Sequence, residues 1–199
     1  MRLCIIGDEL VAGSGDPRGQ GWVGRVVART LWDEPPVVMT LAVPGEGTRA
    51  LSQRWEAEVA GRLDAGGDNR LVVAIGPADV PGGVSTPRSR LNMANVVDRA
   101  ASLRIPTMVV GPPPLAGVDR AQLRTLSKAA GEVCSRRGLP FVDTFTSLVS
   151  HDQWTEDMSA SPAHTTDGAV LPGQAGYALM AWLVLHEGWF PFTGTEARP

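Results

Sequence analysis

Short apolar runs alternate with longer amphipathic stretches along the chain. The runs cover residues 3–6, 37–41, 71–75, 107–110 and 140–142, are rich in β-branched residues, and give way within a few positions to Gly, Pro or Asp. Apolar residues that follow one another without polar alternation suit strands covered on both faces, as in a parallel sheet. Between the runs, apolar positions recur at helical spacing and predict helices over 22–31, 49–63, 88–103, 119–137 and 174–186. Asp119 stands as the N-cap of the fourth helix and Gly138 as the glycine that closes it. Regular strand–helix alternation predicts an α/β fold: a three-layer α/β/α sandwich on a five-stranded parallel sheet with right-handed crossovers.

Two segments interrupt the pattern. Gly111-Pro112-Pro113-Pro114 is a loop, because adjacent prolines remove backbone donors. Residues 150–172 are polar and poorly periodic, which predicts a long loop holding both His151 and His164. Residues 1–192 are expected to form one domain, with 193–199 as a frayed tail. Trp22, Trp55 and Trp182 sit among apolar neighbours at helical spacing and are expected in the core. Trp154 and Trp189 lie nearer loops, where an indole can line a pocket. His151 and His186 are expected at the surface.

Composition bounds this picture without redirecting it. The chain has 199 residues, 43% apolar and 20% charged, with a net charge of -3. A chain this long can bury a core without disulfides or metals. One lysine, Lys128, and scattered arginines give no basic run, so nucleic acid is excluded as an expected partner. Cys4 and Cys134, far apart in apolar stretches, read as buried free thiols. No stretch approaches the ~20 apolar residues that span a bilayer, and the first apolar run is too short for a signal peptide. The protein is expected in the cytoplasm, with a small-molecule ligand or substrate as partner. No cofactor is expected and no metal is assigned.

In open parallel α/β sheets, ligands bind outside the carboxyl ends of the strands. Those ends are here Gly7-Asp8-Glu9-Leu10, Pro44-Gly45-Glu46-Gly47, Gly76-Pro77-Ala78-Asp79 and Gly111-Pro112-Pro113-Pro114, and three of the four carry carboxylates. The first continues as Val11-Ala12-Gly13, and the second is preceded by Leu41-Ala42-Val43. A further segment, Asp167-Gly168-Ala169-Val170-Leu171-Pro172-Gly173, leads into the last helix. In this order and at these spacings the segments resemble the sequence blocks of the SGNH hydrolases, also called GDSL esterases and lipases. The resemblance covers most of the chain. It implies a flavodoxin-like strand order, 2-1-3-4-5, and an esterase, lipase or acylhydrolase ancestry. It puts Gly45 at the oxyanion-hole glycine and Asp167 at the aspartate that orients the catalytic histidine.

The departures from the family pattern bear on function. The nucleophilic serine position holds Glu9 and the oxyanion asparagine position holds Ala78. The histidine position falls on Val170 or Leu171, depending on whether the block is aligned from Asp167 or from Pro172. A carboxylate attacking an ester gives an anhydride, and carboxylate nucleophiles suit glycosides or phosphoryl groups better. Losing one oxyanion donor alone typically lowers the rate by ~10²–10³. Serine-esterase chemistry is therefore not expected, and two readings stay open. In the first, Glu9 folds onto the backbone donors at residue 9 and Gly45, and the protein binds a small ligand or a partner. In the second, Glu9, Asp8 and Asp79 converge, with Asp167 or His164 arriving from the last loop. That cluster makes an acid/base pair or a hard-cation site and hydrolyses a small ester or glycoside-like substrate. Asp8 and Asp79 also have structural readings, as strand-end carboxylates bonded to nearby backbone.

Overall fold

The apolar runs pair as parallel strands because both faces of each are covered. A computed structural model describes residues 1–198. The elements in chain order are β1 (Arg2–Gly7), α1 (Glu9–Ala12), α2 (Gly21–Arg29), β2 (Thr30–Leu31), β3 (Val37–Ala42), α3 (Thr48–Ala60), β4 (Asn69–Ala74), α4 (Thr86–Ser102), β5 (Thr107–Val110), α5 (Arg120–Ser135), β6 (Phe141–Val142), α6 (Thr144–Leu148), α7 (Asp152–Ala160), α8 (Gln174–Val184), α9 (Phe190–Thr193) and β7 (Glu196–Ala197). The main sheet runs β3-β1-β4-β5-β6, all parallel, which is the expected 2-1-3-4-5 order of its five strands. Ile6 lies between Leu41 of β3 and Val73 of β4. Along β1, Leu3 and Ile5 pack into one layer with Trp22, Val26 and Trp189. Cys4 and Ile6 pack into the other with Trp55, Met93, Val97 and Leu123. Alternate side chains thus enter two separate cores, and the strand reads as continuously apolar. Both cysteines are buried and free.

Several expectations are corrected. The polar stretch 150–172 contains α7, because Trp154 and Met158, one helical turn apart, both turn inward and α7 packs on α8. The tail from 193 is not frayed over its described residues. Gly194, in the left-handed region at φ 70°, turns the chain back. Glu196–Ala197 then pair antiparallel with Thr30–Leu31, and Arg198 N–H donates to Arg29 O at 2.8 Å. Trp182 is 52% exposed, since the buried face of α8 is supplied by Tyr177, Met180, Ala181, Leu183 and Val184. Its ring stacks on His186 at 4.1 Å. Trp189 is core rather than loop-side. The chain kinks after α8 at Glu187 and Gly188, the latter at φ 135°, which turns Trp189 inward, and its indole donates to Thr30 Oγ1 at 2.9 Å. Among the described residues no helix is long and apolar enough to cross a membrane.

Candidate functional site

The site begins where β1 ends. Gly7 leaves no room for a side chain beside the Ala74 carbonyl, so the chain passes tightly over β4. Asp8 caps the four-residue α1, accepting the Leu10 N–H at 3.0 Å, and Gly13 in the left-handed region stops it. This short turn delivers Asp8 and Glu9 side by side at the carboxyl end of the sheet, 2% and 4% exposed. From the loop after β3, Gly45, at φ 70°, donates its N–H to Glu9 Oε2 at 2.7 Å. A carboxylate oxygen therefore rests on the backbone donor that the sequence pattern places in an oxyanion hole. The loop is held from beneath by Glu46, whose carboxylate grips Arg54 at 2.5 Å and 2.7 Å. Arg54 also donates to Leu41 O at 2.8 Å and Gly7 O at 3.3 Å, tying the ends of β3 and β1 together.

Asp79 is turned to other work. It accepts the Thr48 N–H at 2.8 Å and the Thr48 hydroxyl at 2.6 Å, and also the Ser89 hydroxyl. Asn92 completes the set by donating to Thr48 Oγ1 at 3.0 Å. The residue preceding α3 is Gly47, which has no side chain to cap the helix, and Asp79 supplies the cap from the next loop. A Cβ at Gly47 would stand 2.7 Å from Asp79 Oδ1, so this capping needs the glycine.

A cleft of about 260 Å³ opens over Asp8, Glu9 and Gly45. Asp119 and Asp167 add two carboxylates, Pro77, Val80, Pro81 and Val118 form an apolar wall, and Gln122 and Thr165 are neutral polar groups. Its lining holds no arginine, lysine, histidine, serine or cysteine. Of the residues singled out from sequence, the structure brings together Asp8, Glu9, Gly45 and Asp167, and it leaves out Asp79 and His164. The His164 ring Nδ1 lies 3.0 Å from Pro162 O, and the residue bridges to Val170 on the wall of a neighbouring cleft. Neither candidate histidine position faces Glu9: Val170 lines that second cleft, and Leu171 is buried core. Sequence reasoning missed Asp119, Gln122 and Thr165. Asp119 does cap α5, accepting the Gln122 N–H at 2.8 Å, as its position before an amphipathic run predicts. Its second role in the cleft depends on how far the loop after β5 reaches, which no local pattern encodes. Among the described residues, no three His, Cys, Asp or Glu side chains lie close enough to hold a metal ion.

Electrostatics separate the carboxyls. Burial above all, then the neighbouring charge of Glu9 and more weakly that of Glu46, push the Asp8 carboxyl up to about 8, against the Leu10 N–H that favours its charge. Near neutrality Asp8 thus holds a proton beside Glu9. Tyr177 is raised by burial and by Asp8, Asp16 and Glu9. Its hydroxyl donates to Ser14 O at 2.7 Å, fixing α8 to the turn after α1. Burial alone would raise Asp16, but Arg25 and the N–H groups of Arg18 and Gly21 outweigh it and hold the carboxyl at about 2.

The model of the GDSL-like lipase/acylhydrolase family matches residues 5–179. Solved structures similar to this chain include a lipase/acylhydrolase from Enterococcus faecalis, 20% identical, with 100% of each chain covered and a TM-score of 0.74. A member of the lipolytic protein G-D-S-L family from Veillonella parvula is 19% identical over 93% of this chain and 96% of that one, with a TM-score of 0.74. Axe2, an acetylxylan esterase from Geobacillus stearothermophilus, is 20% identical over 98% of this chain and 94% of its own, with a TM-score of 0.69. No curated protein matches the sequence. At these identities the likeness to solved structures carries the fold alone.

Proposed function

The chain belongs to the GDSL-like lipase/acylhydrolase family, and from that footing we propose that it is a member without serine-esterase catalysis that binds a small neutral or cationic ligand. One observation carries the proposal: the Glu9 carboxylate accepts the Gly45 N–H at 2.7 Å. Acyl transfer needs a nucleophile, a base within hydrogen-bond reach of it, and free donors where the oxyanion develops. Glu9 is a poor nucleophile for an ester, the cleft sets no histidine beside it as base, and its carboxylate covers one of the third. The cleft lining supplies no serine, cysteine or histidine to replace it. Three carboxylates beside the protonated Asp8, and no cationic side chain around the opening, disfavour an anionic ligand, and the wall of Pro77, Val80, Pro81 and Val118 gives an apolar body a surface.

A second reading has one observation in its favour. Asp8, pushed up to about 8, is an acid held beside a carboxylate, the pairing expected of a general acid and its partner base or nucleophile. On that reading Asp8 and Glu9 hydrolyse a small ester or glycoside-like substrate. Hydrolysis of short-chain aryl esters by the wild type and by Glu9→Gln, with thermal unfolding of both, separates the two. The expected outcome is no turnover above buffer for either protein and a Glu9→Gln variant at least as stable as wild type. The amide oxygen still accepts from Gly45, and a charge next to buried Asp8 is gone. Wild-type turnover that Glu9→Gln abolishes overturns the binding-only proposal.

A further inference from the structure

A second cleft, of about 520 Å³, lies between the 114–120 loop, α7 and the 161–170 segment. It shares only Gly117 and Val118 with the first cleft. Its floor is apolar and partly aromatic: Leu115, Leu123, Phe145, Trp154 and Met158. The Trp154 ring is fixed in place, its Nε1 donating to Pro114 O at 3.0 Å.

The charge of this lining is the reverse of its neighbour's. It includes Arg120 and no acidic side chain, where the first cleft has four acidic side chains and no arginine or lysine. Among the described residues neither Arg120 nor Arg124 enters a salt bridge. One helical turn after Arg120, Arg124 lies over the Phe145 ring, 5.7 Å from its centroid. His164 spends its Nδ1–H on the Pro162 carbonyl at 3.0 Å, so in the neutral ring Nε2 is an acceptor and the anion-binding donor of this cleft is Arg120. An exposed, unpaired arginine at the rim of an aromatic floor is the arrangement that takes an apolar body with an anionic head. The guanidinium forms charge-assisted bonds to the head, the floor buries the body, and a cationic counterpart is repelled. The volume falls in the range of small-ligand pockets.

We propose that this second cleft is a binding site for a compact organic monoanion, with an aromatic or branched apolar body on Trp154, Phe145 and Met158 and a carboxylate or sulfonate head on Arg120. The proposal stands independently of what the Glu9 cleft does.

Calorimetric titration of the full chain with naphthalene-2-sulfonate, neutral 2-naphthol and 2-naphthylmethylammonium tests it. The expected result is that the sulfonate binds at least ~10-fold more tightly than the naphthol and that the ammonium compound does not compete for it. Arg120→Glu should lose that preference and leave naphthol binding within about twofold. An acid at the first position of α5 suits the helix N-terminus, so this variant should fold. Ser159→Trp, from the exposed side of α7, should fill the cleft and abolish both. Equal affinity for sulfonate and naphthol overturns the proposal. So does sulfonate binding that survives Arg120→Glu or Ser159→Trp, or no binding of the sulfonate at millimolar concentration.

Discussion

Replacing Asp8 by Asn should flatten the pH dependence of stability between pH 5 and 7. The Asp8 carboxyl ionises at 3.8 in an ordinary setting and at about 8 in the folded protein, because it is buried beside Glu9. A group whose folded value is raised favours folding fully below the unfolded value, and that contribution is lost as pH climbs through the folded one. For Asp8 the window runs from about pH 4 to about pH 8. Between pH 5 and 7 the native state keeps this proton and the unfolded chain has released it, so the contribution of Asp8 to stability falls by about 1.4 kcal/mol per pH unit, or about 2.7 kcal/mol across the interval. Asn fills the same space, and its carbonyl can still accept the Leu10 N–H, but it does not titrate. Asp16, held at about 2, contributes with the opposite sign and only at lower pH. Glu187, raised by its own burial, is common to both proteins. Urea unfolding of both proteins at each half unit of pH measures the difference in slope, whatever the constant offset of the substitution. Parallel curves, with slopes agreeing to about 0.3 kcal/mol per pH unit, would refute the account of Asp8 as a buried, protonated acid.

Three further outcomes follow from the same geometry. Asp79→Ala should cost about 3 kcal/mol or more, read as a fall in Tm of roughly 6–12 °C. It strands the Thr48 N–H and two hydroxyls, and Asp79→Asn should cost less. Arg54→Met should destabilise by about 3–5 kcal/mol by leaving Glu46 buried without its cation, and Arg54→Met with Glu46→Leu should recover most of that in a double-mutant cycle. Glu9→Ser should hydrolyse aryl esters no faster than Glu9→Ala, to within about tenfold. A hundredfold excess would mean that His164 swings from the second cleft to act as base.

Much of the fold was legible because the physics that makes it is local or nearly so. Strands buried on both faces announce themselves as unbroken apolar runs, and helices by their spacing, so the five-stranded sheet and five of its helices could be placed within a few residues. The misreadings share a cause. Helix α7 carries only two inward residues, Trp154 and Met158, and a polar remainder, so its helicity comes from packing on α8 rather than from its own pattern. Helical spacing among apolar neighbours points Trp182 to the core, but which face of an almost wholly apolar helix is buried is settled by the elements it packs on. At the site, the identity of residue 9 and its place after β1 were readable, and so was a carboxylate facing a glycine donor. Asp79 and His164 were ambiguous, because a carboxylate at a strand end can cap a helix or face a ligand with no difference in sequence. The Thr48–Ser89–Asn92 set that engages Asp79 is assembled from three separated segments.

The contact between Glu9 and Gly45 also limits what chemistry the cleft can support. An oxyanion hole accelerates a reaction because its donors meet a charge that is absent in the ground state and present in the transition state. A permanent carboxylate on the donor removes that difference: the Gly45 N–H, already bonded at 2.7 Å, has nothing further to gain when a substrate oxygen becomes negative. A developing oxyanion at this place would also be repelled by Glu9. Any hydrolysis here must therefore either displace Glu9 from Gly45 or proceed without a tetrahedral oxyanion at that position. The second route favours a centre that becomes positive in the transition state, stabilised by Glu9, with Asp8 giving its proton to the departing oxygen. Glu9→Gln distinguishes these cases from simple binding. Removing the charge should abolish the rate if Glu9 stabilises a positive centre and leave no rate to change if the cleft is a binding site, whereas Glu9→Ala, which also clears Gly45, should raise the rate if Glu9 only blocks the hole.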